Sequence, residues 1–236
     1  MKKTTILFDL DGTLLPMEQE VFVRVYFQEL AFKLAAYGFD VTALPENLWA
    51  GVGAMACNDG SCSNEEAFWR KFSQIYGEDV RDYAPIFDDF YANEFNRAKA
   101  VCQVTPKAKE AVHCLKEMGY RVVLATNPIF PAVGTRSRIA WTGLTAEDFA
   151  YMSCYENSTY AKPEPKFFQE VLDRIGCTAE ECLMVGNDVE EDGAAREVGL
   201  EVFFLTDCLI NQKGEDISRF PQGSWEDLMD YIKTHN

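Results

Sequence analysis

The hydrophobic pattern along the chain changes character twice. Residues 4–8 are a short apolar run with β-branched side chains, which predicts a buried strand of a parallel sheet. From about residue 16 to about 103 the apolar spacing becomes helical. Val23, Phe27, Leu30 and Leu34 share one face, with Gly38 placed to end the helix. Ser63-Asn64-Glu65-Glu66 reads as a capping box, opening a helix with Phe68, Phe72 and Ile75 on one side. A further helix starting near Pro85 groups Ile86, Phe87, Phe90 and Tyr91. Sixteen aromatic residues fall in this stretch, a content that predicts packing in a small helical bundle ahead of a cofactor slot.

Beyond about residue 104, strand and helix patterns alternate. Thr105-Pro106 opens a helix that Gly119 closes, and 121–125 is a strand. A helix is predicted between Ala132 and Trp141, a short strand near 151–154, and a helix over 164–175 ending at Gly176. A strand at 182–185, a helix through 194–198, a strand at 202–205 and a last helix at 225–232 complete the series. The alternation predicts an α/β fold, a Rossmann-like parallel sheet with helices on both faces. Its core would comprise 1–15 and 104–236, with 16–103 inserted as a helical-bundle cap.

Composition narrows the functional classes. A net charge of -16 argues against a nucleic-acid or anionic-membrane partner, and it demands a local device to reverse the field if the substrate is an anion. No run approaches the roughly 20 apolar residues of a membrane span. Lys2 and Lys3 precede an apolar run, but Asp9 and Asp11 interrupt it too early for a secretory signal. A cytoplasmic protein with reduced thiols, monomer or homodimer, is therefore expected. Cys57 and Cys62 flank a turn-like segment that could clamp a metal, yet no second Cys or His pair completes a zinc set.

Candidate chemistry gathers where strands stop. Asp9 and Asp11 follow the first strand, with Gly12 allowing a sharp turn. Residues two apart in a strand point the same way, and two carboxylates that close repel unless a proton or cation intervenes. Thr126 and Asn127 follow the second strong strand; Asn187, Asp188 and Asp192 follow a later one; Lys162 precedes a helix. In a parallel sheet these ends share one edge, where ligands bind in open α/β folds. Asp9, Asp11 and Asp188 are hard oxygen ligands suited to Mg²⁺, and the metal with Lys162 would neutralise an incoming phosphate. Asp9 can attack phosphorus, Asp11 can serve as acid and then base, and Thr126 and Asn127 can donate to phosphoryl oxygens. Taken singly, each has an ordinary reading: an exposed turn, a surface lysine, an acidic first helical turn.

Asp9-Leu10-Asp11-Gly12-Thr13, Thr126-Asn127, Lys162-Pro163 and Gly186-Asn187-Asp188-Val189-Glu190-Glu191-Asp192, in that order, resemble the haloacid dehalogenase superfamily. The segment between the first two motifs is similar to the helical cap of one branch. The resemblance spans the chain and implies Asp9 as nucleophile, Asp11 as general acid/base, Thr126 on phosphate, Lys162 on the nucleophile and phosphoryl group, and the last motif on Mg²⁺. Asn187 departs from the aspartate often found there, so Asp188 is read as the direct ligand, with Asn187 and Asp192 behind it. Asp11 and the acidic last motif favour phosphoryl transfer over dehalogenation. The expected function is a Mg²⁺-dependent phosphatase acting on a small phosphorylated metabolite; a phosphomutase and a non-catalytic phospho-ligand-binding relative are the alternatives. Pro16 stands where relatives acting on phosphoglycolate or sugar phosphates have another aspartate, and those substrates are not carried over. Arg24, Trp49, Arg70 and Arg97 are the cap side chains considered for contacts to the organic part of the substrate.

Overall fold

The first strand, β1 (Thr5–Phe8), is wholly buried, and its alternation assigns each side chain to a layer. The computed structural model describes residues 3–235; Lys2, half of the basic pair ahead of this strand, lies outside them. After β1 the chain forms α1 (Gln19–Ala35), α2 (Leu44–Ala56), α3 (Asn64–Tyr76) and α4 (Ala84–Ala92), with 3-10 segments at Glu78–Tyr83 and Glu94–Val101. It then enters α5 (Pro106–Glu117), β2 (Arg121–Leu124), α6 (Ala132–Trp141), α7 (Pro165–Ile175), β3 (Cys182–Gly186), β4 (Glu201–Leu205), β5 (Gln222–Gly223) and α8 (Trp225–Thr234).

All strand pairings are parallel, in the order β2-β1-β3-β4-β5. Ile6 and Phe8 pack on one face with Val122, Leu124, Val185 and Phe203, under Val112 and Leu115 of α5 and Trp225 and Leu228 of α8. Leu7 packs on the other with Val123, Met184 and Phe204, under Phe167, Phe168 and Val171 of α7. This is the α/β architecture the alternation predicts, with helices on both faces of a parallel sheet. Since β1 lies between β2 and β3, the loops leaving these three strands are neighbours along one edge. No helix among the described residues is long and apolar enough to cross a membrane.

Several local expectations needed correction. The strand expected at 151–154 is a single bridge, Leu124 to Met152. It goes no further because the groups that would continue it are taken: the Ser153 hydroxyl donates to the Thr126 carbonyl (2.6 Å), and the Tyr155 N–H donates to the Phe130 carbonyl (3.0 Å). The helix expected at 194–198 is a 3-10 turn at Gly193–Val198, in which the Arg196 side chain takes the Gly193 carbonyl (2.8 Å). Ser63 does cap α3, accepting from the Glu66 N–H (3.2 Å), but Glu66 itself pairs with Arg81 (3.0 Å). In α1 the buried stripe is Phe22, Tyr26, Leu30 and Leu34, one position round from the predicted face. Val23 and Phe27 are only half-buried because they border a hollow beside the α1–α2 contact.

The helical stretch joins the sheet through an aromatic cluster. Phe95 lies within 6.1 Å, centroid to centroid, of Phe22, Tyr26, Phe90 and Tyr91 on its own side, and of Phe130 and Trp141 after β2. The hydroxyls of Tyr26 and Tyr91 pair with each other at 2.6 Å, one donating and the other accepting. Phe95→Ala, at a fully buried hub, is expected to lower unfolding free energy by about 3–5 kcal/mol in denaturant melts. A loss below about 1 kcal/mol would mean that the cluster does not join the two parts.

Candidate active site

Backbone geometry at the strand exits sets the positions of the side chains. Asp9 extends β1 by one hydrogen bond, its N–H donating to Val185 (3.0 Å), and the chain then turns back on itself through Gly12 N–H to Leu15 (2.8 Å). Gly12 has φ +87°, and a Cβ there would lie 2.4 Å from Nδ2 of Asn187. Glycine thus lets the β1 exit press against the β3 exit. Thr13 Oγ1 donates to Asn187 Oδ1 (2.8 Å), and Asn187 Nδ2 donates to the Cys208 carbonyl (2.9 Å). At Gly186 a Cβ would meet Asp192 Oδ2 at 2.0 Å. In its absence that oxygen accepts the N–H groups of Asn187 (2.9 Å) and Asp188 (3.0 Å).

Lys162 ties these loops together. Its Nζ donates to Asp9 Oδ1 (2.8 Å) and to Asp192 Oδ1 (2.6 Å), with all three residues buried. Burial alone would lower the lysine's pKa, but Asp192 and Asp9 outweigh it and carry the ammonium above its ordinary value. Asp9 is pushed up to about 7, chiefly by burial, with Lys162 opposing and Asp192 adding to the rise. Asp188 is raised as well, again by burial; its carboxylate is fastened by the N–H groups of Glu190 (2.8 Å) and Glu191 (2.9 Å).

Two participants escaped the sequence reading. Arg138, fully buried on α6, pairs with Asp11 Oδ2 and stacks over Phe130 at 4.0 Å. The available signal was its place among Gly134, Thr135, Ile139 and Trp141, the buried face of that helix. Glu191 accepts from Asn127 Nδ2 (3.2 Å) and is pushed up to about 8 by burial. Asp11 Oδ1 and Asn127 Oδ1 are buried without a hydrogen-bond partner. Among the described residues no three carboxylate, imidazole or thiol groups converge as a metal cage, and all eight cysteines are free thiols.

All eight residues singled out from the sequence (Asp9, Asp11, Thr126, Asn127, Lys162, Asn187, Asp188 and Asp192) line one cleft of about 390 Å³. The helical stretch supplies the facing wall, including Phe22, Val23, Trp49 and Val52. Of the four side chains of the helical stretch considered for the organic part of the substrate, only Trp49 is in the cleft. Arg24 is exposed, and Arg70 and Arg97 pair at the surface with Glu66 (3.6 Å) and Glu29 (2.7 Å).

The family model for haloacid dehalogenase-like hydrolases matches residues 3–199. The chain belongs to that family. A phosphoglycolate phosphatase of Colwellia psychrerythraea is 23% identical to this hydrolase over 93% of its chain and 90% of the relative. A ribulose-1,5-bisphosphate 5-phosphatase of Halopiger xanaduensis is 28% identical, covering 84% of this chain and 82% of its own. Among solved structures, a HAD phosphatase from Thermococcus onnurineus shares the fold, with a TM-score of 0.59, 22% identity and 98% of both chains covered.

The raised carboxylates give the hydrolase a pH signature. With folded-state values of about 7 for Asp9 and about 8 for Glu191, the native protein keeps protons that the unfolded chain has already released. Their contribution to stability is full below the ordinary carboxylate pKa of about 4 and is lost as pH rises through the folded values. In chelating buffer the melting temperature is expected to fall between about pH 5 and pH 8, and to fall less for Asp9→Asn and Glu191→Gln. Equal slopes in wild type and both variants would refute this assignment.

Proposed function

We propose that this hydrolase is a Mg²⁺-dependent phosphatase that cleaves a small phosphomonoester by way of a phosphoryl group carried on Asp9. The observation that carries the reading is the bridge from Lys162 to both Asp9 and Asp192 on the floor of the cleft. It engages one oxygen of Asp9 with a buried ammonium and leaves Oδ2 for attack on phosphorus. The polar groups around it are those that an in-line phosphoryl transfer needs.

The donor set suits a hard divalent cation. Asp9 and Asp188 are carboxylates on adjoining strand exits, both pushed upward by burial, and the partnerless oxygens of Asp11 and Asn127 lie in the same cleft. Mg²⁺ takes such oxygens and keeps several waters, so it needs no closed cage of side chains. Asp9 and Asp188, with Asp11 beside them, would hold it. Asn187 is already engaged by Thr13 and Cys208, and Asp192 by Lys162 and two backbone N–H groups, which supports Asp188 as the direct ligand. When bound, the ion neutralises negative charge on the phosphoryl oxygens.

The residues divide the remaining work. Asp9 attacks phosphorus as the bond to the ester oxygen breaks, and Asp11 gives that oxygen its proton. Asp11 then takes a proton from water as the water attacks the phosphoryl group, releasing inorganic phosphate and restoring Asp9. Arg138 orients Asp11 for both transfers, Lys162 offsets charge beside the nucleophile, and Thr126 and Asn127 hold the phosphoryl oxygens. The helical segment 16–103 acts as a cap that limits bulk water and meets the organic part of the substrate. With an aryl phosphate and Mg²⁺, Asp9→Asn is expected to lower kcat by at least about a thousandfold. Asp188→Ala is expected to raise the Mg²⁺ concentration for half-maximal activity by about tenfold or more. Turnover surviving in the first variant, or an unchanged Mg²⁺ requirement in the second, would overturn the corresponding role.

A further inference from the structure

The cleft that holds Asp9 adjoins a second hollow of about 70 Å³, walled almost entirely by apolar side chains. Val23, Trp49, Val52, Ile129 and Phe130 line both spaces, so the hollow borders the cleft directly. Leu48, Met55 and Phe87 form its far wall, each buried. Two of the tyrosine hydroxyls at its border, those of Tyr26 and Tyr91, meet each other at 2.6 Å. Among the described residues lining it none carries a charge, so nothing there would fix a charged ligand.

Charge in the cleft points the same way. Among the described residues lining it, Lys162 is the single cation, and it is already shared by Asp9 and Asp192. Five acids line the same space: Asp9, Asp11, Asp188, Glu191 and Asp192. Arg138 does not line it; that guanidinium lies over the Phe130 ring and is paired with Asp11. A substrate with a second anionic group, as in phosphoglycolate or a sugar bisphosphate, would bring that group to a wall of acids, apolar side chains and a few neutral amide and hydroxyl groups, with no unshared cation to receive it.

We propose that the substrate is a phosphomonoester whose organic part ends in an uncharged apolar group seated in this hollow, and that esters with an anionic remainder are poor substrates. This rests on the phosphatase reading of the cleft. Seating an apolar group away from the reacting centre strengthens ground state and transition state alike, so chain length acts on KM more than on kcat.

The test is a series of n-alkyl phosphates from methyl to hexyl, with phosphoglycolate alongside, assayed with Mg²⁺. In parallel, binding of the matching alkylphosphonates is measured by calorimetry. The expected result is a rise in kcat/KM of about fourfold for each of the first methylenes seated, carried by KM, with phosphoglycolate below the longer alkyl esters. The phosphonates should tighten in the same steps. Val52→Trp, or the milder Met55→Phe, should flatten both series in protein that still melts cooperatively. Hydrolysis with no dependence on chain length, or with phosphoglycolate preferred, would overturn the apolar seat and leave the phosphatase reading standing. Chain-length-dependent phosphonate binding without hydrolysis of any ester would overturn the phosphatase reading and support the seat. Absence of both would overturn the two together. A length dependence unchanged in both folded variants would also overturn the seat, by moving the contact away from this hollow.

Discussion

A single buried ammonium holds the functional edge of this hydrolase together. Lys162 comes from a loop before α7, Asp9 from the end of β1 and Asp192 from the turn after β3, and the three meet in one bridge. Removing one member of such a bridge leaves a buried charge uncompensated, at a cost of about 3–5 kcal/mol. That cost favours the geometry in which one ammonium serves both carboxylates. Asp192 reinforces it by accepting two backbone N–H groups with its second oxygen. The bare Cα of Gly186 is the condition for that contact, since any side chain would occupy the place of the carboxylate.

The helical stretch is tied to this edge by packing. Phe95 and its neighbours from α1 and α4 meet Phe130 and Trp141, which flank the start and end of the segment carrying Arg138. Phe130 then has two faces of consequence. It stacks on the Arg138 guanidinium, and it forms part of the wall shared by the cleft and the apolar hollow. Aromatic packing, the orientation of Asp11 and the shape of the cleft therefore share one side chain.

Much of the sheet was legible because its signals are local. Runs such as 182–185, bounded by turn residues, have one reading as buried parallel strands, and right-handed crossovers then place their exits on one edge. The candidate acids were visible for the same reason, each marking the point where an apolar run breaks. What escaped depends on contacts distant in sequence. The strand at 151–154 ends at one bridge because the Ser153 hydroxyl takes the Thr126 carbonyl and the Tyr155 N–H turns to Phe130. The rotation of the α1 stripe away from Val23 and Phe27 reflects a hollow that only the packing of α1 against α2 and the loop after β2 creates. The periodicity of α6 puts Arg138 on the buried face, but its partner Asp11 lies 127 positions earlier and no local signal connects the two.

The two cations also settle how the pair Asp9 and Asp11 coexists. Carboxylates two residues apart at a strand end would be expected to repel, and such repulsion is usually relieved by a shared proton. Here each acid has its own buried partner, Lys162 for Asp9 and Arg138 for Asp11. Among the influences on Asp9, burial, Lys162 and Asp192 all outrank Asp11. The competition that sequence spacing suggests is thus a minor influence on Asp9. The proposed roles of nucleophile for Asp9 and acid/base for Asp11 build on this separate pairing, since neither acid depends on the other for its counter-charge.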